Sequence, residues 1–260
     1  MKVILPSIEI LTPISNGGIE ELKCIEQAAR TCYKSEDSIN KDGSSAKRLV
    51  SLLVANGHEA MLEHSQLSVR FICDRGVSHE LVRHRLCSFA QESTRYCNYS
   101  KDKFGNELTF ILPREFVRKW MDEVDDYSLG ELDRFLEACS RGAPWADDYQ
   151  FIKARSKEIK GLVLWVDAME EAEKSYLAMI QHGCTPQLAR SVLPTSIKTE
   201  IVVTANYREW RNLLRLRTGM DAHPDIRSLM ETLVVLLGGK IPIVFDDIAE
   251  TVLARHREEE

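Results

Sequence analysis

Apolar residues recur along this chain at two spacings, and the switches between them mark out its elements. Residues 2–5 and 8–11 are short apolar pieces separated by Pro6, and they predict an N-terminal strand. Over 18–34, Ile19, Leu22, Ile25, Ala29 and Cys32 fall at helical spacing, which predicts an amphipathic helix. The polar stretch 35–45, with Gly43, reads as a loop. Residues 46–56 read as a second helix, stopped at Gly57. From Ser65 to Cys73 the period falls to two. Leu67, Val69, Phe71 and Cys73 share one face, Gln66, Ser68 and Arg70 the other, as in a half-buried strand. Gly76 breaks it. Ser78 then caps a helix from His79 to about Leu86, with Glu80 in the first turn, where the helix dipole favours an acid. Arg83, His84 and Arg85 would sit at its C-terminal end, with Gln91, Ser93 and Arg95 in the loop beyond.

Residues 107–112 predict a short strand ended by Pro113, followed by a helix from Arg114 to about Glu123. The acidic stretch 122–148, with Gly130, Gly142 and Pro144, reads as a variable excursion. Apolar positions from Ile152 to Met169 predict a long helix over 151–182, ended by Gly183. Thr185-Pro186 has the cap and first-turn residues of another. Ile197 to Ala205 alternates and is β-branched, so it predicts a strand. Asn206 caps a helix from Tyr207 to Arg217, on which Arg208, Arg211 and Arg215 form a basic face. His223-Pro224 starts a helix to about Leu237, and 245–260 form a last one. There are no repeats or linkers, so residues 1–260 are expected to be one domain with the excursion at 122–148.

Charge narrows the partners. A formal net charge of −6 speaks against a general nucleic-acid binder, so local Arg clusters point to small anions. No apolar run approaches the roughly 20 residues of a membrane span. The apolar start at Met1–Leu5 is too short for a secretory signal, which predicts a cytoplasmic protein. Seven scattered cysteines without Cys-x-x-Cys spacing suggest apolar filler, not a disulfide framework or zinc ribbon.

Two segments carry candidate chemistry. Arg83 to Tyr96 holds three guanidinium groups, an imidazole and four hydroxyls. Unpaired charges of this density are too costly to bury as ordinary core, and Arg forks match phosphate oxygens in pairs. In Gly57-His58-Glu59-Ala60-Met61-Leu62-Glu63-His64, two His and two Glu invite a metal. The spacing is not His-Glu-x-x-His, however, and histidines six apart diverge by about 120° on a helix. A loop beside a polar cleft is the better expectation, with no metal.

The run Arg83-His84-Arg85, then Ser93 and Arg95-Tyr96, resembles the signature of the flavin-dependent thymidylate synthases. The Gly57–His64 segment, Arg190 to Pro194, Thr204 to Arg208 and Asn212 to Arg217 resemble the same family. The chain departs from it at Ala90-Gln91, where many members have Asn-Glu, and at Ala60, on a flavin-contacting hydroxyl position.

The resemblance implies an α+β fold, with a small, largely antiparallel sheet flanked by long helices, and no Rossmann fingerprint. It implies methylation of dUMP to dTMP. The carbon donor is 5,10-methylenetetrahydrofolate, and tightly bound FAD, reduced by NADPH, carries the hydride. It places FAD at Ala60, Arg83, His84, Arg85, Gln91, Asn206, Tyr207, Arg208 and Asn212. It places dUMP at Glu80, Leu81, Val82, Arg83, Gln91, Glu92, Ser93, Thr94, Arg95, Arg190 and Arg217. Arg217 falls at the family's active-site arginine, as the cation that activates the uracil, and His58 and Tyr96 fall near the folate. The family's homotetramer shares its sites between subunits. Three other readings remain open on residues alone: a nucleic-acid module using the Arg clusters with Phe89, Tyr96 and Tyr99; a metal hydrolase using His58, His64 and His84; and a helical scaffold.

Overall fold

A computed structural model describes residues 1–116 and 157–259. The predicted excursion, most of the helix after Pro113 and the start of the long helix lie outside the described residues. The strands are β1 (Lys2–Ile4), β2 (Ser7–Ile10), β3 (Gln66–Asp74), β4 (Ser88–Gln91), β5 (Thr109–Ile111) and β6 (Lys198–Asn206). The helices are α1 (Ile19–Tyr33), α2 (Ser44–Ala55), α3 (Arg75–Leu81), α4 (Lys157–Gln181), α5 (Pro186–Ala189), α6 (Tyr207–Arg217), α7 (Pro224–Lys240) and α8 (Asp246–Glu259). This is the expected α+β class. The main sheet is small and antiparallel, in the order β2-β3-β6-β4. The predicted N-terminal strand is two strands in different sheets, since Pro6 interrupts it. β1 pairs with β5, in parallel, with Val3 opposite Phe110.

The chain forms two compact units. The first comprises Met1–Ser7, Ile72–His79 and Gln91–Ile201. Its core packs Tyr99, Leu108, Phe110, Met169, Tyr176, Ala189 and Ile197. Thr185 caps α5 as its sequence demands, its hydroxyl accepting from the Leu188 amide.

The second comprises Ile8–Phe71, Glu80–Ala90 and Val202–Glu260. α1 buries Leu22, Ile25 and Ala29, but Cys32 is exposed. β3 buries its predicted face, and the indole of Trp210 donates to the Leu67 carbonyl at 2.9 Å. Gly18, at φ +76°, lies where a Cβ would come within 2.7 Å of the Lys240 carbonyl oxygen.

Around the arginine segment the sequence reading needs correction. α3 starts at Arg75, not His79, because the Asp74 carboxylate accepts from the Val77 amide at 2.8 Å and so caps it. Ser78 lies inside the helix, its hydroxyl donating to the Arg75 carbonyl. The helix ends at Leu81, and Arg83 to Arg85 occupy the turn after it. Part of the expected loop is strand β4. The segment Glu59–His64, expected as loop, is a 3-10 helix.

Candidate active site

Asn206 ends β6 and caps α6, its side-chain oxygen accepting from the Glu209 amide at 2.8 Å. The first turn of α6 thereby points Glu209 inward, and its last turn carries Arg217. Arg217 is held on three sides. Its Nη1 donates to the Glu80 carboxylate at 2.7 Å, its Nη2 to the Glu80 carbonyl at 3.2 Å, and its Nε to His84 Nε2 at 3.0 Å. Guanidinium has five N–H groups, so one on each terminal nitrogen remains. His84 is 7% exposed, and its other nitrogen, Nδ1, faces the buried Glu209 carboxylate at 3.6 Å. Burial and the Arg217 charge hold the imidazole pKa below 6.5. The Cys87 thiol is pushed up to about 12 by burial and by Glu209.

A second charged cluster fixes the segment that bears His58 and Ala60. Arg211 is fully buried and donates to Glu59 at 2.9 Å, to both Asp247 oxygens at 2.7 Å, and to the Val244 carbonyl. Arg215 also reaches Glu59 at 2.9 Å, and Arg208 pairs with Glu63. The predicted basic face of α6 is thus matched by acids. Burial raises the carboxyls of Glu59 and Asp247, but their arginines outweigh it and hold both below their usual range. His58 and Ala60 line a pocket of about 330 Å³ with Ala29, Tyr33, Leu53 and Met61.

In the first unit, Gln91 Nε2 donates to the hydroxyls of Ser78 at 2.8 Å and Thr199 at 3.2 Å. Both Glu92 carboxylate oxygens are occupied, one by the Tyr99 hydroxyl at 2.8 Å, the other by Lys198 at 3.1 Å. Burial lowers the Lys198 pKa, but Glu200 and Glu92 outweigh it and raise the value overall. The Ser93 hydroxyl accepts from the Arg95 amide at 3.3 Å. The Arg95 side chain is exposed, donating to Gln187 at 3.3 Å and lying 5.5 Å from the Tyr96 ring centre. Arg190 is exposed on the turn after α5.

The predicted site residues divide by what they offer. Arg83 and Arg85 (second unit), and Arg95 and Arg190 (first unit), are exposed, and among the described residues none has a carboxylate within ion-pair distance. Arg30, Arg70, Arg208, Arg211 and Arg255 each have at least one, whereas Arg48 and Arg257, exposed outside these segments, share the unpaired state among the described residues. Asn212 is exposed and donates to Glu209 at 3.3 Å, Val82 and Tyr96 are exposed, and Leu81 and Thr94 are buried. Tyr207 is fully buried against Phe245, since it starts the same helical face as Trp210 and Leu214, so only its backbone can meet a ligand. Sequence reasoning does not single out Glu209 or Lys198. Glu209 faces His84, far back along the chain, and Lys198 reaches distant Glu92 as well as nearby Glu200. Among the described residues no group of three His, Cys, Asp or Glu is arranged to hold a metal.

A fold of this class, with arginines left open on the turn after α3 and on the loop after β4, has known counterparts. The chain belongs to the thymidylate synthase complementing protein family, whose profile matches residues 19–243. A flavin-dependent thymidylate synthase from Corynebacterium aurimucosum is 33% identical, with 93% of this chain and 85% of the relative covered. One from Mycobacterium leprae is 29% identical over 88% and 81%. The resemblance read from the signature is borne out. The crystal structure of thymidylate synthase X from Helicobacter pylori, with FAD and dUMP, shares the fold at a TM-score of 0.63 and 22% identity, covering 94% of this chain and 99% of that one.

Proposed function

We propose that this chain methylates dUMP to dTMP, taking the one-carbon unit from 5,10-methylenetetrahydrofolate and the reducing equivalents from NADPH. The observation that carries this reading is the set of exposed arginines without carboxylates, in a family of flavin-dependent thymidylate synthases. Such open forks suit phosphate oxygens. Arg83 and Arg85 offer them for the pyrophosphate of FAD, and the remaining amide of Asn206, with Asn212 and the Ala60 turn, offers polar and close-approach surface for the rest of it. Bound FAD supplies the hydride that converts methylene to methyl. Arg95 and Arg190, with Ser93, hold the dUMP phosphate. Glu92, also expected beside dUMP, has both carboxylate oxygens engaged, by Tyr99 and by Lys198, which partly offsets its charge next to that anion. Gln91 keeps its carbonyl oxygen for a ligand, its amide being committed to Ser78 and Thr199.

Carbon 5 of uracil becomes nucleophilic as negative charge develops on oxygen 2 or nitrogen 3. A cation already fixed beside those atoms stabilises that charge without reorganising. Arg217 has the anchoring for this role and two N–H groups to spend. His58, on the pocket wall, is assigned to the folate side, with Tyr96. The homotetramer with shared sites follows from the family resemblance, and the exposed Leu164, Tyr96 and Leu216 offer apolar surface for a subunit contact. Residues 1–260 act as one catalytic domain, in the cytoplasm; among the described residues no helix is long and apolar enough to cross a membrane.

The test is a visible spectrum of the purified protein before and after anaerobic NADPH with dUMP, followed by Arg217→Ala. A flavin spectrum that bleaches supports the reading; a protein that neither carries nor takes up FAD overturns it. Arg217→Ala should keep the flavin and lose dTMP formation by about 10²-fold or more. Full activity in that variant would assign the activating cation elsewhere.

A further inference from the structure

The His84–Arg217 contact sets a protonation state. The Nε of Arg217 can only donate, so the His84 Nε2 it meets at 3.0 Å must be the unprotonated nitrogen. The ring proton then sits on Nδ1, which faces the Glu209 carboxylate at 3.6 Å. Glu209 is itself fixed: its other carboxylate oxygen accepts from Asn212, and its backbone N–H donates to the Asn206 side-chain oxygen. The line Asn206–Glu209–His84–Arg217–Glu80 therefore runs from the cap of α6 to its last turn and on to α3. His84 is its one titratable base at neutral pH, and it is buried.

We propose that His84 is a positioning residue for Arg217. Its neutral imidazole accepts the Nε–H and fixes the guanidinium plane, so that the two unspent N–H groups keep one direction. The proposal rests on Arg217 being the activating cation. It gives His84 a task that its expected contact with FAD does not include.

Protonating His84 would replace the acceptor with a donor and set two cations 3.0 Å apart. The groups that face the ring decide when this happens. Arg217, on α6, opposes the proton, and Glu209, also on α6, favours it. Glu80, on α3, acts through Arg217, and Cys87, in the turn before β4, is uncharged. Burial and Arg217 prevail, so the imidazole stays neutral to a pH below its ordinary value. Turnover should then fall on an acid limb lying below pH 6.5.

The experiment compares kcat, KM for dUMP and flavin content across pH for the native enzyme, His84→Ala, His84→Gln and Arg217→Ala. His84→Ala should lose about 10- to 100-fold in kcat, the factor carried by one hydrogen bond to a charged group, with flavin content retained. His84→Gln presents a carbonyl oxygen near the position of Nε2 and cannot titrate. It should recover most of kcat and lose the acid limb. A native kcat in His84→Ala, a Gln variant no better than the Ala variant, or an unchanged acid limb in His84→Gln would each overturn the proposal. So would a His84→Ala protein that loses its flavin but regains native kcat when saturated with FAD. If Arg217→Ala itself stays active, the fault lies in the assignment of the cation. Where the His84 variants fail to fold, nitrogen NMR of 15N-histidine-labelled native protein and of Arg217→Ala takes over. The native ring should be neutral at pH 7 with its proton on Nδ1, and Arg217→Ala should raise its pKa. A proton on Nε2 would overturn the proposal.

Discussion

Replacing Arg211 with Met tests whether the buried arginine ties the second unit together. The side chain has no exposed surface, and Met fills much of its volume without its charge. Removing one partner of a buried pair costs about 3–5 kcal/mol, because the other charge stays behind unpaired. Here two features reduce that figure. Glu59 and Asp247 both keep Arg215, at 2.9 and 3.4 Å, and the Asp247 side chain is 48% exposed and can take up water. Against this, the Val244 carbonyl loses its donor. The lower end of the range, about 3 kcal/mol, is the expected loss at neutral pH, or a fall in Tm of roughly 6–12 °C for a chain of this size. Urea unfolding curves of the native and variant proteins measure it.

The dependence on pH is a second signature of the same cluster. Glu59 and Asp247 are held below their ordinary values of 4.5 and 3.8 in the folded chain. Depressed carboxyls contribute stability that is fully present above those values and is lost as pH falls through the folded ones. The gap between native and Arg211→Met should therefore be widest above pH 4.5 and narrow below pH 3.8. A gap under about 1 kcal/mol at pH 7, the size of an ordinary exposed ion pair, would refute the account. A gap unchanged down to acid pH would refute the assignment of the two carboxylates.

Two further outcomes are expected. Gly18→Ala would force a Cβ to within 2.7 Å of the Lys240 carbonyl oxygen and 2.8 Å of the Ile241 Cα, at φ +76°, and should cost about 2–5 kcal/mol from strain and overpacking; Gly57→Ala, also at positive φ but with open space around it, should cost clearly less, and equal losses in unfolding curves would show that the clash is relieved. Arg95→Ala should weaken dUMP binding about 10- to 100-fold by calorimetry, the value of one charged hydrogen bond to phosphate, and an unchanged affinity would move the phosphate site elsewhere.

What the sequence revealed and what it hid follow from the range of each signal. The spans of α1, β3 and β6, and the caps Thr185 and Asn206, depend on residues at most a few positions apart, so periodicity and side-chain type suffice. The start of α3 is ambiguous in sequence because Asp74 and Ser78 are both good caps, and only the fold decides which oxygen meets the Val77 amide. β4 has four residues, too few for an alternation to stand out. Of the candidate site, the arginines of the motif could be read, since their density in an acidic chain is itself informative. Which of them are spent could not. Arg211 and Arg215 share a spacing-based face, and one is buried and the other exposed; both end on Glu59 and Asp247, of which Glu59 lies 152 residues before Arg211 and Asp247 36 after it, beyond the reach of any spacing rule. The His84–Arg217 bond likewise joins residues 133 apart. The roles assigned to individual residues in dUMP and FAD binding came through the family resemblance, not from periodicity.

The two compact units alternate along the chain, each assembled from three separate stretches. The arginine segment itself changes unit between Ala90 and Gln91. A recombination point placed almost anywhere from residue 8 to residue 201 would therefore cut through material that both units need. Neither could be exchanged as a block with a foreign gene, as a domain on a linker can. The turn with Arg83 and Arg85 and the loop with Ser93 and Arg95 must be inherited together, and so must the late residues that complete each unit. Point changes and loop insertions leave this interleaving intact, and the open arginines of the segment are inherited as one piece.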